Sequence, residues 1–186
     1  MSTLEVNKIT PISGGTTVTL GDSGDTFNLA SGATAGFGKI GQIVTSNLTT
    51  HNSISASDWT DTGITATITP SSTSSKILIL WKVFFSSPAG DGFVGKLVRG
   101  STDIGIGTGT GTQGTMTFAT ANANNYWSFD NSGNYLDSPS TTSATTYKIK
   151  TKPQSGTYTI YINRSGRGLS NDPTGISTLT VMEVLA

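Results

Sequence analysis

The residues that could do covalent chemistry are few. His51, in Thr49-Thr50-His51-Asn52-Ser53, is the single histidine, and there is no cysteine. That excludes thiol nucleophiles, disulfides, iron–sulfur clusters and Cys/His zinc sites. A Ser-His-Asp triad is recognised by geometry and would have to recruit His51, but no G-x-S-x-G nucleophile elbow accompanies it. A glycosidase needs two carboxylates at a defined separation. Eleven Asp and Glu are present, with nothing in their spacing to single out a pair. His51 reads as a solvated loop residue, and no catalytic residue is expected.

Three other segments imitate binding sites. The run from Asp103 to Gly114 has glycines at phosphate-loop spacings. It lacks the Gly-Lys-Ser/Thr ending, and no helix follows to receive a phosphate. Asp130-Asn131-Ser132-Gly133-Asn134-Tyr135-Leu136-Asp137 offers alternating oxygens for a calcium ion, as Gly21-Asp22-Ser23-Gly24-Asp25 does in shorter form. An EF-hand needs Gly at its sixth position and Glu at its twelfth; Tyr135 holds the sixth and no Glu follows. A hairpin turn is the simpler reading, and no metal or cofactor is expected. Aromatics beside amides in Asn122–Asp130 and Asn134-Tyr135 are suited to stack on sugar rings and bond hydroxyls, or to anchor a protein contact. Tyr126, Trp127, Asp130, Asn134 and Tyr135 are therefore the receptor-contact candidates. The competing reading makes Tyr126, Trp127 and Phe129 core.

The elements carrying these residues are strands. Gly, Ser and Thr make up 80 of 186 residues, charged residues only 12%, and the net charge is zero. Zero net charge argues against nucleic acid and anionic membranes, and no apolar run approaches a membrane span. Asn47-Leu48-Thr49 and Asn163-Arg164-Ser165 match glycosylation sequons by coincidence in so Ser/Thr-rich a chain. Residues 1–38 have short alternating runs at Thr3–Ile9 and Thr16–Leu20, turn residues between them, and a small-residue linker at Ala30–Gly36. They hold too few large apolar residues to close a core. From residue 39 to 186, strands are expected near 40–47, 63–69, 76–86, 92–99, 114–120, 126–129, 145–152, 156–163 and 177–185, separated by Pro/Gly/Asn/Asp turns such as Asn131–Asn134. No 3.6-residue period appears. The expectation is an all-β fold: an antiparallel, jelly-roll-like sandwich head preceded by a short extended β segment.

The strand at 76–86, KILILWKVFFS, is apolar on both faces. Ile77, Ile79, Trp81, Val83 and Phe85 form one row; Leu78, Leu80 and Phe84, with Lys82, form the other. A two-layer sandwich has one core, so the second row needs its own cover. A loop or the N-terminal segment would serve, as would a subunit interface through Leu78, Leu80 and Phe84.

Both ends of the chain resemble known proteins. Met1–Ile9 with Gly15–Phe27, and later Ser75–Ile79, Tyr161–Ser165 and Ser177–Val184, are similar to tail-fibre and related virion proteins of marine, cyanophage-like bacteriophages. Residues 100–145 have no such counterpart. The resemblance implies a homotrimer located on the virion as a tail or surface appendage. Residues 1–38 would dock to another virion structural protein, with Leu4, Val6, Ile9, Val18 and Leu20 as attachment candidates. The head would meet host surface glycan or protein, with no nucleic acid and no membrane insertion. Because the long shaft of such fibres is nearly missing, a capsid or tail decoration protein without a receptor role is the alternative. A glycan-degrading enzyme is a third reading, opposed by the long β-helix that such phage enzymes resemble.

Overall fold

The computed structural model describes residues 40–87, 92–109, 114–120 and 128–185, all within the unit Gly38–Ala186. The attachment candidates Leu4, Val6, Ile9, Val18 and Leu20, and the aromatic pair Tyr126 and Trp127, lie outside these residues. The described residues form strands and no helix: β1 (Ile40–Leu48), β2 (Asn52–Ile54), β3 (Thr60–Ile68), β4 (Lys76–Ser86), β5 (Phe93–Arg99), β6 (Thr102–Ile104), β7 (Phe118–Thr120), β8 (Ser128–Asp137), β9 (Thr145–Pro153), β10 (Ile160–Ile162) and β11 (Ser177–Val184).

Every pairing is antiparallel, in two sheets. The first runs β1-β11-β4-β8, and β10 with β2 continues it beyond β11 by pairing with Phe85 and Ser86 of β4. The second runs β3-β9-β5, with β6 and β7 sharing the far edge of β5. The antiparallel β-sandwich expected from the strand pattern is the observed class. Each sheet interleaves early and late strands, β1 beside β11 and β3 beside β9.

Inward rows of both sheets meet in one apolar cluster. Ile77, Ile79, Trp81, Val83 and Phe85 of β4 are all buried, as are Phe93, Leu97, Tyr147 and Ile149 opposite them. The Phe85 and Phe93 ring centroids lie 4.3 Å apart with the rings tilted by 44°, in close contact.

One expected element is corrected. Residues 131–134 read as a turn after a short strand, yet β8 runs unbroken from Ser128 to Asp137. Its register against β4 is continuous from Ser86↔Ser128 to Ile77↔Asp137. The eleven-residue β4 supplies backbone partners along the whole segment, which outweighs the turn propensity of Asn131-Ser132-Gly133-Asn134. Gly133 has a packing role: a Cβ there would lie 2.4 Å from the Trp81 ring, so only glycine lets β8 lie this close. The three-residue β2 and β6 were not anticipated either. Their pairing is carried by β10 and β5, not by any pattern of their own.

Two polar groups in the interior are fully engaged. Asn163, directly after β10, is 0% exposed with φ 62°. Its amide donates to the Leu48 and Thr50 carbonyls at 2.7 and 3.0 Å, and its Oδ1 accepts from Ser177 Oγ at 2.6 Å. Its backbone N–H donates to the Phe84 carbonyl. One residue thus ties β1, β4, β10 and β11 together, and an asparagine buried in this way is closed to glycosylation.

Glu183, near the end of β11, is 1% exposed and accepts from Gln42 Nε2 (2.8 Å) and from Ser71 N and Oγ (2.6 and 2.7 Å). Burial alone would raise its pKa, but these bonds to the charged form outweigh it and bring it from 4.5 to about 2. A depressed carboxylate stabilises the fold fully above its unfolded pKa, and that stabilisation is lost as pH falls through the folded one. Thermal unfolding temperature should therefore drop between about pH 4.5 and pH 2. Glu183→Gln should be less stable at neutral pH and show a flatter profile in that window. An identical acid profile in both proteins would remove Glu183 as the cause.

Candidate functional site

Strand β8 carries the described receptor-contact candidates, and its alternation separates them. Asp130 and Asn134 lie on the outer face of the first sheet, both exposed. Asp130 is 3.5 Å from Lys82 Nζ. Tyr135 points the other way, packs against the core, and has Gly105 against its ring. The amide and the ring therefore do not converge on one ligand. Trp81, an inward residue, donates from Nε1 to Asn131 Oδ1 at 3.1 Å, so this amide is occupied by the core.

The same alternation dismantles the calcium reading, since Asp130 and Asp137 fall on opposite faces. Asp137, 5% exposed, accepts two bonds from Arg99 Nη1 at 2.8 Å and one from Tyr147 Oη at 2.7 Å. Burial, and then the bond to Asp137, push the Tyr147 hydroxyl far above its ordinary pKa, so it stays a donor. Among the described residues no three His, Cys, Asp or Glu come close enough to hold a metal. A shallow cavity of about 760 Å³ beside this network is lined by Arg99, Ile104, Gly105, Tyr135 and Ser138. Arg99 and Asp137 already neutralise each other, and the described residues that line the cavity include no cysteine, serine–histidine pair or unpaired acid. His51 is exposed in the connection between β1 and β2.

The interface candidates sit on that outer face, and the structure treats them differently. Leu78 and Leu80 are half-buried. Leu78 lies in a row with Ile43 of β1, Met182 of β11 and Leu136 of β8, an apolar line across all four strands. Ile40, Ile43 and Leu136 are 49%, 59% and 47% exposed, which leaves this line open. The next row is Thr45, Thr180, Leu80 and Asn134, with the two threonine hydroxyls 3.0 Å apart. Phe84 is covered by the chain itself: the connection from Asn163 to Ile176 folds over it, and a Cβ on Gly175 would be 2.5 Å from its ring. The expected interface row is thus split. Gly175 packs on Phe84, and the half-buried Leu78 lies in line with the exposed Ile43 and Leu136, with Leu80 in the next row.

The outer face of the second sheet holds a cluster that no sequence motif announced. Lys148, Lys150 and Lys152 alternate along β9, with Lys96 across from Lys150 on β5. Asp61 pairs with Lys148 (3.1 Å) and Lys150 (3.7 Å), and Asp103 with Lys96 (2.5 Å). Trp59, just before β3, has Lys96 Nζ 4.5 Å and Lys152 Nζ 5.3 Å from its ring centroid. The period-two lysines in Lys148-Ile149-Lys150-Thr151-Lys152 were the one available signal. Trp59 had none, because it lies outside any alternating run.

No protein-family model matches the chain, and no curated protein does. Among solved structures it is similar to a chain of "Structure of infectious bursal disease virus Gx strain", at 15% identity with a TM-score of 0.31. That alignment covers 86% of this chain and 44% of the other, so this chain spans less than half of its length. A likeness at that level carries no argument about function.

Proposed function

We propose that the chain is a structural protein of a virion: a short homotrimeric phage tail fibre or spike that docks through residues 1–38 and presents its β-sandwich to host surface glycan or protein. The observation that carries the oligomer is the open row Ile43, Met182, Leu78 and Leu136 with Leu80 beside it. Contiguous apolar patches are seldom left exposed on soluble monomers, and burying each such side chain is worth ~1.5–3 kcal/mol. Self-association of this face around an axis supplies the cover. Threefold symmetry and the virion setting come from the sequence resemblance at the two ends of the chain. The interleaved order, β1-β11-β4-β8 against β3-β9-β5-β6, supports a jelly-roll-like head. No catalytic step is assigned to it.

Sedimentation of the full chain at micromolar concentration tests the assembly. The expected mass is three times the 19.2 kDa chain. Leu78→Asp and Leu80→Asp should each yield folded monomer or aggregate, because the new carboxylate would be buried unpaired at the interface. Phe84→Asp should instead destabilise the subunit, by expelling the connection that covers it. A wild-type monomer would overturn the interface. Immunogold labelling of particles separates the roles: label at tails or fibres supports attachment, and label dispersed over the capsid makes the chain a decoration protein.

A further inference from the structure

We infer that the outer face of the second sheet carries a binding site for an acidic saccharide, built on Trp59 and Lys152. A cavity of about 400 Å³ opens there, lined by Trp59, Lys96, Lys152, Gln154, Thr115 and Met116 among the described residues. That volume falls in the range of small-ligand pockets. The backbone around Trp59 is tied locally: its N–H donates to Asp58 Oδ1 at 2.6 Å, and Thr60 Oγ1 donates to the Asp58 carbonyl at 3.0 Å. The half-buried indole forms an apolar wall of the cavity.

The cations around it are not equivalent. Lys148 and Lys150 share Asp61, and Lys96 is taken by Asp103. Lys152 has no carboxylate partner among the described residues, and its ammonium lies 5.3 Å from the centroid of the indole ring. Among the described residues the cavity therefore presents a cation without a carboxylate partner, Lys152, beside a flat aromatic wall, with the Gln154 amide for hydroxyls.

A pyranose bearing a carboxylate or sulfate fits that set. Its ring packs on Trp59, its anion pairs with Lys152, and its hydroxyls bond Gln154. Single-stranded nucleic acid would need a cationic track for successive phosphates as well as stacking platforms. Asp103 pairs with Lys96 and Asp61 is shared by Lys148 and Lys150, which breaks any run of unpaired cations, so the acidic sugar is favoured. This deepens the host-contact reading by naming a ligand class and moving the contact away from β8. Its test uses soluble protein and no virion, so it can fail without touching the assembly.

The experiment is titration of the full chain at low salt with a β-linked hexamannuronate, with cellohexaose as the neutral control and an oligothymidylate as the nucleic-acid control. Calorimetry and protein NMR shifts would read binding. Hexamannuronate should bind and cellohexaose should bind at least tenfold more weakly. Lys152→Gln should weaken hexamannuronate about tenfold, the effect of losing one charge-assisted bond, and the affinity should fall as salt rises. Trp59→Ala should weaken it more than tenfold. Lys148→Gln, outside the cavity, should leave it unchanged. Lys152→Gln keeps the stem of the side chain and the indole in place, so it stays informative should Trp59→Ala misfold. Equal binding of the neutral hexaose, no binding of hexamannuronate, or indifference to Lys152→Gln would each overturn the site. Tighter binding of oligothymidylate would replace the saccharide with nucleic acid.

Discussion

Asn163→Ala should destabilise the sandwich by about 3 kcal/mol, and Asn163→Gly by less. Two effects set these values. The first is the loss of a buried amide that satisfies the Leu48 and Thr50 carbonyls and receives the Ser177 hydroxyl. Each buried group left without a partner costs ~1–3 kcal/mol. The second is the backbone: φ of 62° strains any L-residue with a Cβ by ~1–2 kcal/mol, asparagine and alanine alike, while glycine adopts it freely. The alanine variant, which keeps the Cβ, reads the hydrogen-bond share, and the difference between the two measures the strain that glycine relieves. For a domain of this size 3 kcal/mol corresponds to a melting temperature lower by about 6–12 °C. Chemical denaturation of the three proteins, with m-values compared, checks it. If Asn163→Ala matched the wild type, the amide would not be what joins β1 to β11.

The second large effect is expected at Asp137. Asp137→Ala leaves the Tyr147 hydroxyl, on a residue 0% exposed, without an acceptor, and leaves Arg99 without its carboxylate. Breaking a buried pair by removing one partner costs ~3–5 kcal/mol. The Arg99 side chain retains 28% of its exposure, so water recovers part of that and about 3 kcal/mol is expected. Tyr147→Phe should cost about 1 kcal/mol, because Asp137 keeps both bonds from Arg99. In the double variant the hydroxyl that Asp137→Ala orphans is gone, so the combined loss should fall short of the sum. Additive losses would show that the tyrosine and the carboxylate are not coupled.

These two clusters mark where reading the chain stops being sufficient. Alternation in Lys76–Ser86 identified a strand with those same ends, and its inward row Ile77 to Phe85 as core, because side-chain period is a property of the strand alone. Thr-rich alternation and the absence of any helical period likewise settled an antiparallel sandwich. The lysines of β9 were legible as one face on the same ground.

What those lysines face was not legible. Trp59 reaches them only because β3 pairs with β9, which sets Thr60 opposite Thr151. Asn131-Ser132-Gly133-Asn134 carries turn chemistry, and it became strand because β4 offers a ladder long enough to hold it. That pairing then sent Tyr135 inward and Asp130 outward, dividing a cluster that is contiguous in the chain. Phe84 and Leu80 are equivalent by period, and differ because Gly175, ninety-one residues after Phe84, lands on only one of them. Period and propensity are local and act through neighbours within a few residues. Register, cover and charge pairing are fixed by strands far apart in the chain, whose meeting is decided by the packing of the whole core.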